Sequence, residues 1–364
     1  MTGESKPGNT IRLKDKVIDL DNDLSHLDLS GADLSGYDLS GRDLTGTDFT
    51  SARLSKVNLQ GADLTAAIFR DADLTHANLF EAELEQTQFL NTNLQHVNFL
   101  QVDLSTAILS GADLSHANLV EVNLSGNTLE GVKGCHADLE DAVLIKSGLV
   151  KCDFTAANFT DADLTDTNLS FAILNKANFT TAVLVGTRFI GAQLEQANFD
   201  NVTAEKTIFA TASLSKANLA NAEFSLCNFS YCVMQQANLT GCIANRSTFY
   251  RSKLDGIDAN DCEIEFSDLR GVSLKNARMK RCSLVGSEIQ DTEFEQTDLR
   301  ESDCYWTALA PGMFSNSKVD HIRWPDSEPV VYGPQHADAP PVQVKPMYAR
   351  VLNKPELRAL AGID

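Results

Sequence analysis

A large apolar residue falls on every fifth position of this chain. In the block "LSGADLSGYDLSGRDLTGTDFT" the beat is carried by Leu29, Leu34, Leu39, Leu44 and Phe49, and it continues without insertion or deletion from Leu24 to Val319. A small residue lies two positions before each large one, as at Ala32, Ala62 and Ala72, and Asp or Asn sits between them. A period of five suits neither a helix nor a long strand. It fits three extended residues, which put the small and large side chains on one face, followed by two corner residues such as Ser-Gly or Ser-His.

Residues twenty apart behave as neighbours. Phe189, Phe209, Phe229 and Phe249 form one inward series, and Phe159, Phe179 and Phe199 another. Outward, Asn58, Asn78, Asn98 and Asn118 are matched later by Asn158, Asn178, Asn198, Asn218 and Asn238. Deficits of core volume also pair with surpluses at this spacing: Ala204 and Ala244 flank Phe224, and Gly134 precedes Phe154. Four five-residue units per coil account for these columns, since stacking at strand spacing favours amide ladders and offset rings. His76, His96, His116 and His136 then occupy one corner of four successive coils.

The units "GADLS", "HANLF", "KANFT" and "QANLT" resemble those of the pentapeptide repeat family. The resemblance implies an all-β fold, a right-handed quadrilateral parallel β-helix. Sixty units from Leu24 to Val319 make about fifteen coils, roughly 70 Å of stack at ~4.8 Å per coil. The expected domain organisation is a disordered start and N-terminal cap over 1–22, the β-helix over 23–324, and a proline-rich tail over 325–364. That tail ends in "NKPELRALAGID", where Asn353 and Pro355 suit a helix start and Leu357 and Leu360 give it one apolar face.

A net charge of −20 argues against direct nucleic-acid binding and against an anionic membrane surface. The opening residues contain no apolar run of signal-peptide length and nothing approaches a membrane span, so a cytoplasmic location is expected. Cys152, Cys227, Cys232, Cys242, Cys262 and Cys282 all fall in the small-residue slot, which reads as buried, reduced thiols. Phosphate-binding loops, zinc-protease pairs and nucleophile elbows are all absent from the sequence. The carboxylates fall mostly in the outward slot on a convex wall, so no enzyme, cofactor or metal is expected. The histidine column beside Cys135 is the one candidate for metal or acid sensitivity, and its straight geometry converges poorly on an ion.

Three surfaces remain as candidate protein-binding sites. Phe80, Leu100 and Val120 form an apolar outward column on the face bearing Asn78, Asn98 and Asn118, within a band that has no Lys or Arg between Arg70 and Lys133 and edged by His76, His96 and His116. Leu226, Arg246 and Phe266 share a later corner, with Tyr231 above Arg251 and Tyr250 above Arg270 at the next, a mixture typical of interface anchors. The run Arg270, Lys275, Arg278, Lys280 and Arg281 makes this end less acidic than the first half. Leu357 and Leu360 offer a docking helix. An end coil is also a candidate homodimer contact. Family resemblance implies a non-catalytic adaptor in a bacterial assembly, with type VI secretion accessory proteins as one setting. The same resemblance supports a second reading, a DNA mimic that binds DNA gyrase through the acidic band.

Overall fold

The computed structural model describes residues 10–13, 16–307, 313–314 and 316–323. The chain divides into two units, Met1–Asp163 and Leu164–Asp364. The first opens with an antiparallel hairpin of β1 (Thr10–Leu13) and β2 (Lys16–Asp19), with Ile11 opposite Ile18. Ile11 and Leu20 are buried there. In the second, β3 (Thr203–Glu205) pairs in parallel with β4 (Glu223–Ser225). Elsewhere the extended segments are so short that each touches its neighbour through a single parallel bridge, always twenty residues away, as in Asn58 with Asn78 and Ile208 with Asn228. The chain belongs to a right-handed quadrilateral β-helix, so the core is a stack of inward residues rather than a layer between sheets.

One unit shows how the repeat closes its hydrogen bonds. Leu79 N–H donates to Asn98 O in the next coil (2.9 Å), and Asn78 N–H to Val57 O in the previous one (3.0 Å). At the corner before it, Ala77 N–H closes a turn on Leu74 O (2.8 Å). That turn needs its second corner residue in the left-handed region, and His76 sits there at φ 61°. Such a backbone costs a non-glycine residue roughly 1–2 kcal/mol. The cost is offset because the same residue's N–H reaches the next coil, as His76 N–H does to Gln95 O (3.0 Å).

The structure also explains the two polar choices in the repeat. Asp or Asn in the outward slot accepts from the backbone N–H two residues on, as in Ser25 N–H to Asp23 Oδ1 (2.9 Å) and Thr65 N–H to Asp63 Oδ1 (2.9 Å). This Asx bond braces the corner. Ser and Thr in the buried small slot donate to the carbonyl twenty-three residues earlier: Thr47 to Leu24 O (2.8 Å), Thr87 to Leu64 O (2.8 Å), Ser247 to Phe224 O (2.7 Å). Among the described residues no buried side-chain oxygen or nitrogen is left without a partner. The phenylalanines stack as their spacing implies, with Phe189, Phe209 and Phe229 at centroid steps of 4.9 and 4.7 Å. Phe209 also meets Phe199 edge-on at 5.7 Å.

Among the described residues the corner pattern fails at Thr106. From residue 26 to 306 the second corner position is left-handed at every corner except Thr106. Gln86 N–H there donates to the Thr106 hydroxyl (3.1 Å) instead of a corner carbonyl. Among the described residues no bridge joins Glu83 to Asp103 or Ile108 to Thr128. Asn127 enters the small slot at this level, donating to both Leu104 O (2.6 Å) and Ala107 O (2.8 Å), and Ile108 is 47% exposed.

Candidate protein-binding surfaces

In the Met1–Asp163 unit, the four histidines stack at one corner with centroid steps of 4.5, 4.8 and 5.0 Å and nearly parallel rings. All four are exposed. The flat segment after that corner carries the amide ladder: Asn118 donates to Asn98 (3.0 Å), Asn98 to Asn78 (3.0 Å), Asn78 to Asn58 (3.1 Å), and Asn58 to Asp38 (3.0 Å). Asp138 carries no side-chain amide N–H, and a new step begins with Asn158 donating to it (2.9 Å).

Phe80, Leu100 and Val120 do not lie on that flat segment, as the spacing suggested. They take the first corner position beyond it and are half-buried. Half-burial withdraws part of the expected apolar stripe from solvent. The wall past this corner is acidic, with Asp43, Asp63, Glu83 and Asp103 in its outward column. Asp63 is held below the usual carboxylate range by the N–H and hydroxyl of Thr65, so its charge persists into mild acid.

Among the described residues, no group of three His, Cys, Asp or Glu side chains could hold a metal ion. Burial, then the charge of Asp153, pushes the Cys135 thiol up, which disfavours the thiolate a metal would need.

In the Leu164–Asp364 unit the mixed aromatic and arginine patch is assembled around Tyr250. Arg251 and Arg270 place their guanidinium carbons 5.2 and 5.6 Å from its ring centre. Tyr231, 51% exposed, meets the same ring edge-on at 5.6 Å. The sequence reading had set Tyr231 over Arg251; the ring instead turns onto Tyr250, where edge-to-face contact is favourable. Arg270 is fixed from below by bonds to both Asp268 oxygens (2.9 and 2.7 Å), and its Nε lies 3.2 Å from Glu288. Asp268 is only 9% exposed, so this is a directed pair rather than a loose surface contact. Burial raises Glu288, with Arg270 opposing and Asp268 adding to the shift.

At the neighbouring corner Leu226 and Phe266 are half-buried and Arg246 is exposed. A Cβ on Gly286 would lie 2.7 Å from the Phe266 ring, so the ring is already seated on that bare corner. The sequence reading missed Asp268 and Glu288. Their signal was present: Asp268 precedes Arg270 by two residues, and Glu288 lies one coil beyond Asp268.

The basic run does not make a free cationic surface. Lys275 pairs with Glu293 (2.9 Å), Arg278 with Asp258 (3.3 Å), Lys280 with Glu301 (3.0 Å) and Arg281 with Asp261 (2.5 Å). Coil stacking places an acid beside each base. A shallow depression of 480 Å³ along another corner is lined by Lys216, Gln236, Asp255 and Lys275. Asp255 is occupied there by the Ser273 hydroxyl and the Lys275 N–H. The sequence-derived candidates Leu357 and Leu360 lie outside the described residues.

These features define a repeat solenoid. Family models for pentapeptide repeats match residues 22–61, 128–161, 162–201 and 262–300, and a pentapeptide repeat region matches 43–129 and 182–259. The chain belongs to the pentapeptide repeat family. No enzyme family is indicated. No curated protein matches it.

Similar solved structures include HetL, a pentapeptide repeat protein involved in heterocyst differentiation regulation from the cyanobacterium Nostoc sp. strain PCC 7120. It is 23% identical over 59% of this chain and 92% of its own, with a TM-score of 0.31. QnrB1, a plasmid-mediated fluoroquinolone resistance protein, is 15% identical over 50% of this chain and 89% of its own, with a TM-score of 0.25. A pentapeptide repeat protein of the Arabidopsis thaliana thylakoid lumen is 34% identical over 39% of this chain and 70% of its own, with a TM-score of 0.17. These likenesses assign no function to the chain.

Proposed function

We propose that this protein is a non-catalytic scaffold that binds another protein through the wall bearing Tyr231, Tyr250, Arg251 and Arg270. The observation that carries this reading is the fixed geometry of the patch. Arg251 and Arg270 both bring guanidinium groups over the Tyr250 ring, and Arg270 is held by a nearly buried Asp268. Anchors already ordered before binding lose little entropy when a partner arrives, and Tyr and Arg dominate interface hot spots. Capture from the native host on immobilised full-length protein, with mass spectrometry, tests it. A partner retained by the wild type and by Leu100→Asp, but lost by Tyr231→Ala with Arg251→Glu, supports this patch. Loss with Leu100→Asp alone moves the site to the histidine-edged corner, and loss on deleting 325–364 moves it to the tail. The type VI secretion setting rests on family resemblance alone, and secretion components in the captured set would support it.

A second reading has its own observation. The acidic column Asp43, Asp63, Glu83 and Asp103 recurs at twenty-residue spacing; Asp63 is held below the usual carboxylate range by the N–H and hydroxyl of Thr65, and Asp103, against the opposing effect of burial, by the hydroxyl and N–H of Ser105. Such a wall suits a DNA-binding protein surface, and gyrase is the partner that the resemblance suggests. A supercoiling assay with the full chain separates the readings. Inhibition or protection that weakens with salt and with Glu83→Lys favours DNA mimicry.

A further inference from the structure

Three thiols stack in the core of the Leu164–Asp364 unit. Cys242, Cys262 and Cys282 follow one another at twenty-residue spacing in the small slot, and all are buried. Other thiols of that slot behave like its serines and donate to a carbonyl twenty-three residues back: Cys152 to Leu129 O (2.7 Å), Cys227 to Ala204 O (3.1 Å) and Cys232 to Phe209 O (2.9 Å). Cys262 and Cys282 differ. Their sulfurs face each other at 2.8 Å. In-register neighbours on adjacent coils have Cα atoms about 4.8 Å apart, inside the range of about 4.4–6.8 Å that a disulfide spans. Beyond them Ser302 closes the column, accepting from Cys282 N–H (3.1 Å) and donating to Met279 O (2.6 Å).

We propose that Cys262 and Cys282 are a cross-linking site at which hydrogen peroxide joins two successive coils by a disulfide. One sulfur attacks the peroxide oxygen, the O–O bond breaks and water leaves, giving a sulfenic acid. The second sulfur then attacks that sulfur and expels a second water. Two thiols and one peroxide thus yield one disulfide and two waters. The chain between the two sulfurs carries Phe266 and Arg270, so oxidation ties the coil that presents Arg270 to the next one. Cys242 also hydrogen-bonds Cys262: that contact and burial push the Cys242 thiol well up, and Cys262, although the bond with Cys242 opposes it, is pushed well up by its contact with Cys282 and by burial.

The test uses the full chain, reduced, freed of reductant, exposed to hydrogen peroxide, then unfolded with thiols blocked and counted. The reduced chain has eight free thiols; oxidation is expected to remove two, and dithiothreitol to restore them. Trypsin releases Cys262 in residues 254–270 and Cys282 in residues 282–300, each the only cysteine of its peptide, and their linked pair is the expected product. Cys262→Ala fits a slot that takes alanine at Ala222 and Ala237, and is expected to keep every remaining thiol free. The proposal is overturned if the folded wild type retains all its thiols, if other cysteines pair, or if Cys262→Ala still loses two.

Discussion

Gly134→Ala adds one methyl to the core and should destabilise the fold. Gly134 stands where the repeat calls for a large apolar residue, and its backbone is ordinary, donating to Asp153 O (2.7 Å) and accepting from Ala137 N–H (3.0 Å). The room is taken by Phe154 from the next coil. An added Cβ would lie 2.2, 2.4 and 2.9 Å from three atoms of that ring. Carbon atoms in contact prefer about 3.5–4.0 Å, so the ring must retreat by more than about 1 Å. It has nowhere to go: Phe154 is fully buried and packs on Phe159 at 5.6 Å.

Overpacking of this kind costs about 1–3 kcal/mol. Against it stands the restriction of the unfolded chain, which favours Ala over Gly by about 0.4–1 kcal/mol. The net expectation is a loss of about 1–2 kcal/mol. Urea unfolding of wild type, Gly134→Ala, Phe154→Leu and the double variant measures it. The double variant should be more stable than the sum of the single effects by about 1 kcal/mol, because the smaller leucine makes room for the methyl. A neutral or stabilising Gly134→Ala, or strictly additive effects, would refute the packing argument.

Acid should weaken the corners before it protonates anything in the core. Asp38 is lowered by the Ser40 hydroxyl and N–H, and Asp63 by the Thr65 N–H and hydroxyl. A depressed folded value adds stability above the unfolded carboxylate value of about 3.9, and that stability is lost as pH falls through the folded value. The melting midpoint should therefore fall from about pH 4 downward, less steeply in Asp38→Asn with Asp63→Asn, which keep the acceptor oxygen; identical slopes would count against this origin. Hydrogen exchange should be faster at the amides of Glu81, Leu84 and Leu109 than at Gly61, Leu64 and Leu129. The latter donate to Phe80, Glu83 and Gly148 carbonyls at 3.0, 2.8 and 2.8 Å, whereas the ladder fails beside Thr106. Equal protection would mean that the coils close there in solution.

The five-beat spacing, the four-unit coil, the inward phenylalanine stacks and the volume swap between Gly134 and Phe154 were all legible without coordinates. Each follows from backbone periodicity and volume conservation, which depend only on which residues stand five or twenty apart. The histidine column and the amide ladder follow for the same reason. Direction at the corners was decided elsewhere. Whether Tyr231 turns to Arg251 or to Tyr250, whether Phe80 stands out or is half-buried, and which acid holds Arg270 depend on rotamers chosen against neighbours one coil above and below. The contact between Cys262 and Cys282, the donation of slot hydroxyls to carbonyls twenty-three residues back, and the missing left-handed turn at Thr106 are of that kind too. Spacing assigns a side chain to a column; only packed, hydrogen-bonded coils decide which of several nearby partners it takes.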